Sequence, residues 1–244
     1  MIYKKGPPYR IRPVKDICED LIEANALYGS SVRTLFFPAG NTIAMPTKDL
    51  VAICKFAKKQ FTSLERITVY GSSRYIVKKT QRELHQIAGA GLSRIHVGLE
   101  SGSDEVLNLV KKGTSAREQF LAGKMVKDAG MQLSEYVVLG LGGAKLTEIH
   151  AEETAKAINA IAPDFVRLRT LVPKVNTLLL HQIQKDRFQV LTPHQVLQET
   201  RSLIERIQCH TYLKSDHYTN YINLEGELPH VKKSLLEKID EAMK

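Results

Sequence analysis

Glu100 stands where an apolar run (Ile95, Val97, Leu99) stops and a helix start begins, with Ser101, Gly102 and Ser103 between them and Asp104 and Glu105 in the first turn. A carboxylate at the end of a strand can accept two hydroxyl hydrogen bonds, as a ribose offers. The same carboxylate beside a helix N-terminus also complements the helix dipole without any ligand. Gly140-Leu141-Gly142-Gly143 repeats this placement after another apolar run. It lacks a full G-x-G-x-x-G and is not followed by Lys-Ser/Thr, so a dinucleotide or Walker phosphate loop is disfavoured and backbone contact with a flat ring is the better reading. The eight histidines and three cysteines form no H-E-x-x-H, no C-x-x-C and no paired ligand spacing. His150, His181 and His217 read as surface or structural residues. No G-x-S-x-G supports a serine hydrolase.

These residues need elements to position them, and the chain alternates short apolar runs with amphipathic stretches. Helices are expected at Pro13 to Tyr28, Thr47 to Gln60 (entered through Pro46-Thr47 as cap), Thr80 to Ala90, Ser103 to Val110, Ser115 to Ala129, Thr147 to Ile161 and Thr192 to Gln208, with a last one from about His230. Between them, Arg33 to Phe37 reads as a buried strand, followed by strands at Arg66 to Tyr70, Arg94 to Leu99, Leu133 to Leu139 and Phe165 to Val172. His210 to Lys214 and Tyr221 to Leu224 read as two further extended pieces. Strands alternating with helices indicate βαβ units and a parallel α/β sheet. Successive units favour a partial parallel barrel over a small doubly wound sheet, with ligands at the C-terminal strand ends.

A chain of 244 residues with 43% hydrophobic and 25% charged residues can build one globular domain, expected here over residues 1–244. No apolar run approaches the length of a membrane span, and the first residues lack a signal-peptide core. Three scattered cysteines (Cys18, Cys54, Cys209) argue against a disulfide framework and fit a reducing cytoplasm. The net charge of +9 permits anionic partners, nucleic acid included, without requiring them.

The stretch from Ala90 through His96-Val-Gly-Leu-Glu100-Ser-Gly-Ser-Asp-Glu to Leu107, followed by Lys112-Gly113, resembles the fourth strand of radical S-adenosylmethionine (radical SAM) enzymes. The branch it is most similar to includes oxygen-independent coproporphyrinogen oxidase and the Elongator catalytic subunit. Lys127 to Gly130, Val138 to Gly143, Glu148-Ile-His150, Pro163-Asp164, Thr192 to Glu199 and Ser215-Asp-His217 with Asn220 follow in family order, so the resemblance covers nearly the whole chain. It implies a TIM-barrel-like (βα)6 part-barrel. It implies that Glu100, with Ser101 beside it, meets the SAM ribose, that Lys112 pairs with the methionine carboxylate and that Gly140, Leu141 and Gly142 lie against adenine. Gly40 and Asn41 fall where the family holds the methionine amino group, but Ala39 stands where an acidic residue is usual. Arg169 is a candidate anion contact, with a surface-facing strand arginine as the alternative.

The family also holds a [4Fe–4S] cluster through C-x-x-x-C-x-x-C after its first strand, and Cys18, Cys54 and Cys209 cannot supply that spacing. Met1, Tyr3, Lys4, Lys5, Arg12 and Pro13 resemble the continuation beyond the third cluster cysteine. The expectation is a chain truncated just after the cluster motif, lacking the first barrel strand and all metal ligands. A shortened chain, a start assigned at an internal Met and a degenerate relative all fit. The intact form would be an iron–sulfur enzyme that cleaves SAM reductively to a 5′-deoxyadenosyl radical, served by an electron donor and acting on an unknown substrate, while the 244 residues alone would be inactive. The alternative is a degenerate, non-catalytic barrel that binds a ligand or partner. A conventional (βα) enzyme acting on a phosphorylated metabolite would need a complete barrel and a local acid–base pair, and neither is found.

Overall fold

The computed structural model describes residues 10–38 and 40–244. Met1, Tyr3, Lys4, Lys5 and Ala39, on which part of the family comparison rested, lie outside them. The elements run α1 (Val14–Tyr28), β1 (Thr34–Phe37), a 3-10 turn (Thr42–Ala44), α2 (Thr47–Gln60), β2 (Arg66–Gly71), α3 (Ser73–Ile76), α4 (Gln81–Gly89) and β3 (Leu92–Glu100). They continue with α5 (Asp104–Leu109), α6 (Ala116–Asp128), β4 (Gln132–Leu139), α7 (Gly143–Ile161), β5 (Phe165–Thr170), α8 (Leu178–Gln184), α9 (Pro193–Arg206), β6 (Thr211–Lys214), β7 (Glu225–Leu228) and α10 (Lys232–Ala242). The strands follow one another in chain order, mostly parallel, with β7 antiparallel to β6. This is the α/β arrangement that repeated strand–helix units dictate.

The chain divides into two compact units. One gathers residues 10–97 with Leu121–Leu133. There β1 pairs with β2 and β2 with β3, all parallel. Its core forms where the apolar faces of α2 and α4 meet the strands, and Leu50, Ile53, Ile67, Val69, Leu84 and Ile87 are all buried. A capping box starts α4: the Thr80 hydroxyl accepts from the Glu83 backbone and the Glu83 carboxylate accepts from the Thr80 backbone. The expected cap at α2 is not made. Pro46 occupies the cap position, and the Thr47 hydroxyl instead donates to Glu83 at 2.8 Å. The strand read as buried, β1, is half-exposed, because it is paired on one side only.

The other unit gathers Gly98–Phe120 and Ser134–Lys244. There β4, β5 and β6 are parallel, with Ser134 opposite Phe165 and Phe165 opposite Tyr212. Right-handed crossovers carry the connecting helices over one face of such a sheet. Accordingly Val166, Leu168 and Thr170 are buried while the alternate residues of β5 are half-buried. Thr192 caps α9 in a second capping box with Gln195 and Pro193 at the first helical position. The last strand is Glu225–Leu228 rather than the expected Tyr221 to Leu224, because its pairing with β6 sets Thr211 opposite Leu228 and Lys214 opposite Glu225. α7 begins at Gly143, four residues before the expected Thr147, through a break in helical geometry at Leu146.

Candidate functional site

β3 ends in a tight three-residue turn. The Ser101 N–H donates to the Leu99 carbonyl at 2.7 Å, and Glu100 between them sits at φ +61°. A glutamate there is sterically disfavoured, and such strain persists only where the surroundings over-determine it. Two contacts do so. The Ser101 hydroxyl accepts from the Ser103 N–H at 3.1 Å, and the Gly102 N–H donates to the Thr154 hydroxyl at 3.0 Å. Ser101 is fully buried, so its side chain serves the turn and is not presented to a ligand.

The two glycines of Gly98-Leu-Glu-Ser-Gly102 do different work. A Cβ on Gly98 would lie 2.3 Å from Glu100 Oε1 and 3.0 Å from Lys112 Nζ, so the missing side chain is the space in which that carboxylate lies. A Cβ on Gly102 would lie 2.2 Å from the Glu153 carbonyl oxygen, so this glycine lets the turn lie against α7. Lys112 returns from α5 to donate to Glu100 Oε1 at 2.9 Å, with the two side chains 24% and 27% exposed. The partner expected for Lys112 was a ligand carboxylate, and the structure gives it that of Glu100. Part of the ammonium's donor capacity is spent on Glu100 itself, and Glu100 Oε2 takes no donor among the described residues.

Glu135 of β4 was not anticipated. It is fully buried, and loss of water pushes its carboxyl up to about 8, against the partial relief that the Lys112 charge supplies and with a further rise from Glu100. The Leu99 peptide lies between two buried side chains, with Gln119 Nε2 donating to its carbonyl at 2.8 Å and Glu135 held by a backbone hydrogen bond.

The Gly140 to Gly143 turn is wired to β3 from behind. Glu199 of α9, 2% exposed, accepts from the Gly140 N–H at 2.7 Å, from the Thr147 hydroxyl and from His150 Nδ1 at 3.0 Å. His150 Nε2 lies 3.2 Å from the Glu100 carbonyl oxygen. Each ring nitrogen thus faces an oxygen. His150 is structural, as read from sequence, but it spans two strand ends. The turn's own backbone is largely committed: Leu141 N–H donates to Val138, Gly143 N–H to Gly140 and Ala144 N–H to Gln189. Gly142 and Gly143 are needed for crowding by the chain, with added Cβ atoms 2.8 Å from the Leu146 carbonyl and 2.9 Å from the Gln189 carbonyl.

Arg169 of β5 stacks its guanidinium over the Tyr136 ring at 5.0 Å and lies 3.9 Å from Asp216. Gly40 and Asn41 belong to the other unit, where the Asn41 side chain accepts from the Ser72 N–H at 3.1 Å and so fixes the loop after β1. Cys54 is buried, its thiol pushed up to about 12 by loss of water, and Cys18 and Cys209 lie on α1 and just beyond α9. No group of three or more His, Cys, Asp or Glu side chains among the described residues could hold a metal ion. These residues do not fit an iron–sulfur cluster, and no step through one is derived from them.

Comparison with known proteins matches residues 1–158 to the family model described as the Radical SAM superfamily. A tRNA uridine(34) acetyltransferase of Methanocaldococcus infernus is 28% identical over 67 residues, which is 28% of this chain and 12% of that protein. Among solved structures, the M. infernus Elp3 lacking its N-terminus superposes with a TM-score of 0.61 at 15% identity, covering 94% of this chain and 59% of that one. The coproporphyrinogen III oxidase HemN of Escherichia coli gives 0.60 at 17% identity, covering 82% and 46%. The chain thus spans about an eighth of its curated relative and roughly half the length of these structures. With the family model matching more than half of its residues, the chain belongs to the radical SAM superfamily.

Proposed function

We propose that these residues form the SAM-binding core of a radical SAM enzyme, with the cofactor on the strand ends of the unit that gathers Gly98–Phe120 and Ser134–Lys244. One observation carries the reading: Glu100, held at positive φ, lies in the space left by Gly98 with one carboxylate oxygen open and Lys112 alongside. That oxygen accepts the ribose hydroxyls. Lys112 keeps further N–H donors for the methionine carboxylate, and Arg169 offers a second cation. Gly140 to Gly142 presents a flat turn surface to adenine. When bound in an intact enzyme, SAM supplies the 5′-deoxyadenosyl group for hydrogen abstraction from the substrate. The chain's own residues orient it and exclude water. Gly40 and Asn41 have no part in this reading.

The same proposal covers setting and partners. The protein works in the cytoplasm, its intact form with an electron donor, and no described helix is long and apolar enough to cross a membrane. The superfamily reaction requires thiolates grouped as these three cysteines are not, so the 244 residues bind SAM without cleaving it.

Equilibrium dialysis with SAM tests the reading. Glu100→Gln and Gly98→Ala are expected to weaken binding at least tenfold, about 1.4 kcal/mol, in line with one charged hydrogen bond. Gly98→Ala should leave the unfolding midpoint nearly unchanged, since the atoms it meets are the mobile ends of two side chains. Absence of saturable binding, or unchanged affinity in both variants, would refute the site. Anaerobic reconstitution with iron and sulfide should leave the 244-residue chain without stoichiometric cluster, read from bound iron and acid-labile sulfide. A full complement of both would overturn the cysteine argument.

A further inference from the structure

β5 carries two arginines on its half-buried face, Arg167 and Arg169, two residues apart and so about 7 Å apart along the strand. Arg169 at the strand end is supplied with partners, having the Tyr136 ring beneath it, the Leu168 carbonyl at 2.9 Å and Asp216 at 3.9 Å. Arg167, one step deeper, is not. Its Nε is buried without a hydrogen-bond partner, and no carboxylate among the described residues lies within ion-pair distance of its guanidinium.

The register shows what surrounds it. Arg167 is opposite Tyr136 on β4 and opposite Lys214 on β6. Lys214 is itself occupied, 3.5 Å from Asp216 and 3.3 Å from Glu225. Asp216 and Glu225 therefore serve Arg169 and Lys214, and the third carboxylate of this face, Glu227, stands opposite Tyr212 rather than opposite Arg167. A buried Nε–H without an acceptor is costly, and the planar fork of N–H donors to which it belongs matches two oxygens of a carboxylate or phosphate.

We propose that Arg167 is the recognition point for an oxyanion of the substrate, a carboxylate or a phosphate. Arg167 takes that group on its fork, Tyr136 and Lys214 border it, and Arg169 remains with the cofactor. That the anion belongs to a substrate rests on the SAM reading above. That an anion binds here does not.

The test uses the 244-residue chain labelled with 15N-arginine, following the Nε–Hε signals during titration with acetate or with inorganic phosphate at constant ionic strength in chloride. The Arg167 signal is identified by its loss in Arg167→Met. It is expected to move saturably with one of the two probes, which then names the class of anion. Arg167→Lys, which keeps the charge and loses the fork, is expected to bind that probe about tenfold more weakly, with affinity in parent and variants read from the Arg169 Nε–Hε signal two residues along the strand, so the test stands even where the Met variant does not fold. SAM affinity in Arg167→Met is expected to stay within about twofold of the parent. No saturable movement with either probe, or probe affinity unchanged in both variants, overturns the proposal. A loss of SAM binding as deep as in Glu100→Gln also overturns it, by giving Arg167 to the cofactor. Saturable anion binding by a parent chain that binds no SAM supports the anion site and instead refutes the cofactor reading.

Discussion

Glu199→Ala is expected to lower the unfolding free energy by about 4 kcal/mol, measured by urea denaturation at neutral pH. The substitution leaves the Gly140 N–H, the Thr147 hydroxyl and the His150 ring without their shared acceptor in an interior where Glu199 is 2% exposed. An unpaired buried donor costs about 1–3 kcal/mol, and the substitution removes the acceptor from all three of these groups at once. Since whole domains are stable by only about 5–15 kcal/mol, the variant should sit near the limit of folding. Glu199→Gln, which keeps one acceptor oxygen, should lose about half as much. Because His150 also holds the Glu100 carbonyl, Glu199→Gln should weaken SAM binding without removing any group that faces it. A loss below about 1 kcal/mol in the alanine variant would show that the network does not carry the fold.

Glu135→Gln is expected to stabilise the protein, increasingly so as pH rises. The Glu135 carboxyl is pushed up to about 8 by burial, whereas an unfolded glutamate titrates near 4.5. Between those values the folded chain keeps a proton that the unfolded chain has released. The contribution is therefore fully present below the unfolded value and lost as pH climbs to the folded one, after which it levels off. At about 1.4 kcal/mol per pH unit the decline amounts to up to about 5 kcal/mol. The glutamine variant has no such window. Urea unfolding of parent and variant at a series of pH values from mildly acidic to mildly alkaline isolates the effect, because other titrating groups cancel in the difference. A difference independent of pH would show that Glu135 is not the group responsible.

Local signals were legible and long-range ones were not. The helices starting near Thr80 and Thr192 were legible from the sequence, and the structure starts each with a capping box complete within four residues, Thr80 with Glu83 and Thr192 with Gln195. The run Arg33 to Phe37 is apolar enough for an inner strand, and nothing within it reveals that one side lacks a neighbour. Short α8 escaped notice because its only start signal is Thr177, whose hydroxyl accepts from the Leu180 N–H. In the site, Glu100 and Lys112 were found through a motif twelve residues long. Glu199 lies 59 residues from the Gly140 that it binds, and only the packing of α9 on α7 joins them. Glu135 and Arg167 sit in strands as ordinary charged residues, and burial, which no periodicity records for a lone charge, is what makes them chemically distinct.

The terminal strands behave like the two ends of a monomer in polymer chemistry. β7 pairs with β6 on one side and carries Glu225 and Glu227, charges that discourage another strand from joining. β1 also pairs on one side only, but its sequence Thr34-Leu-Phe-Phe37 has no charge, and Phe36 is 42% exposed. A unit reactive at both ends chains without limit, whereas one reactive at a single end couples once and stops. Among the described residues β1 is therefore the reactive end, and the acidic β7 is the capped one.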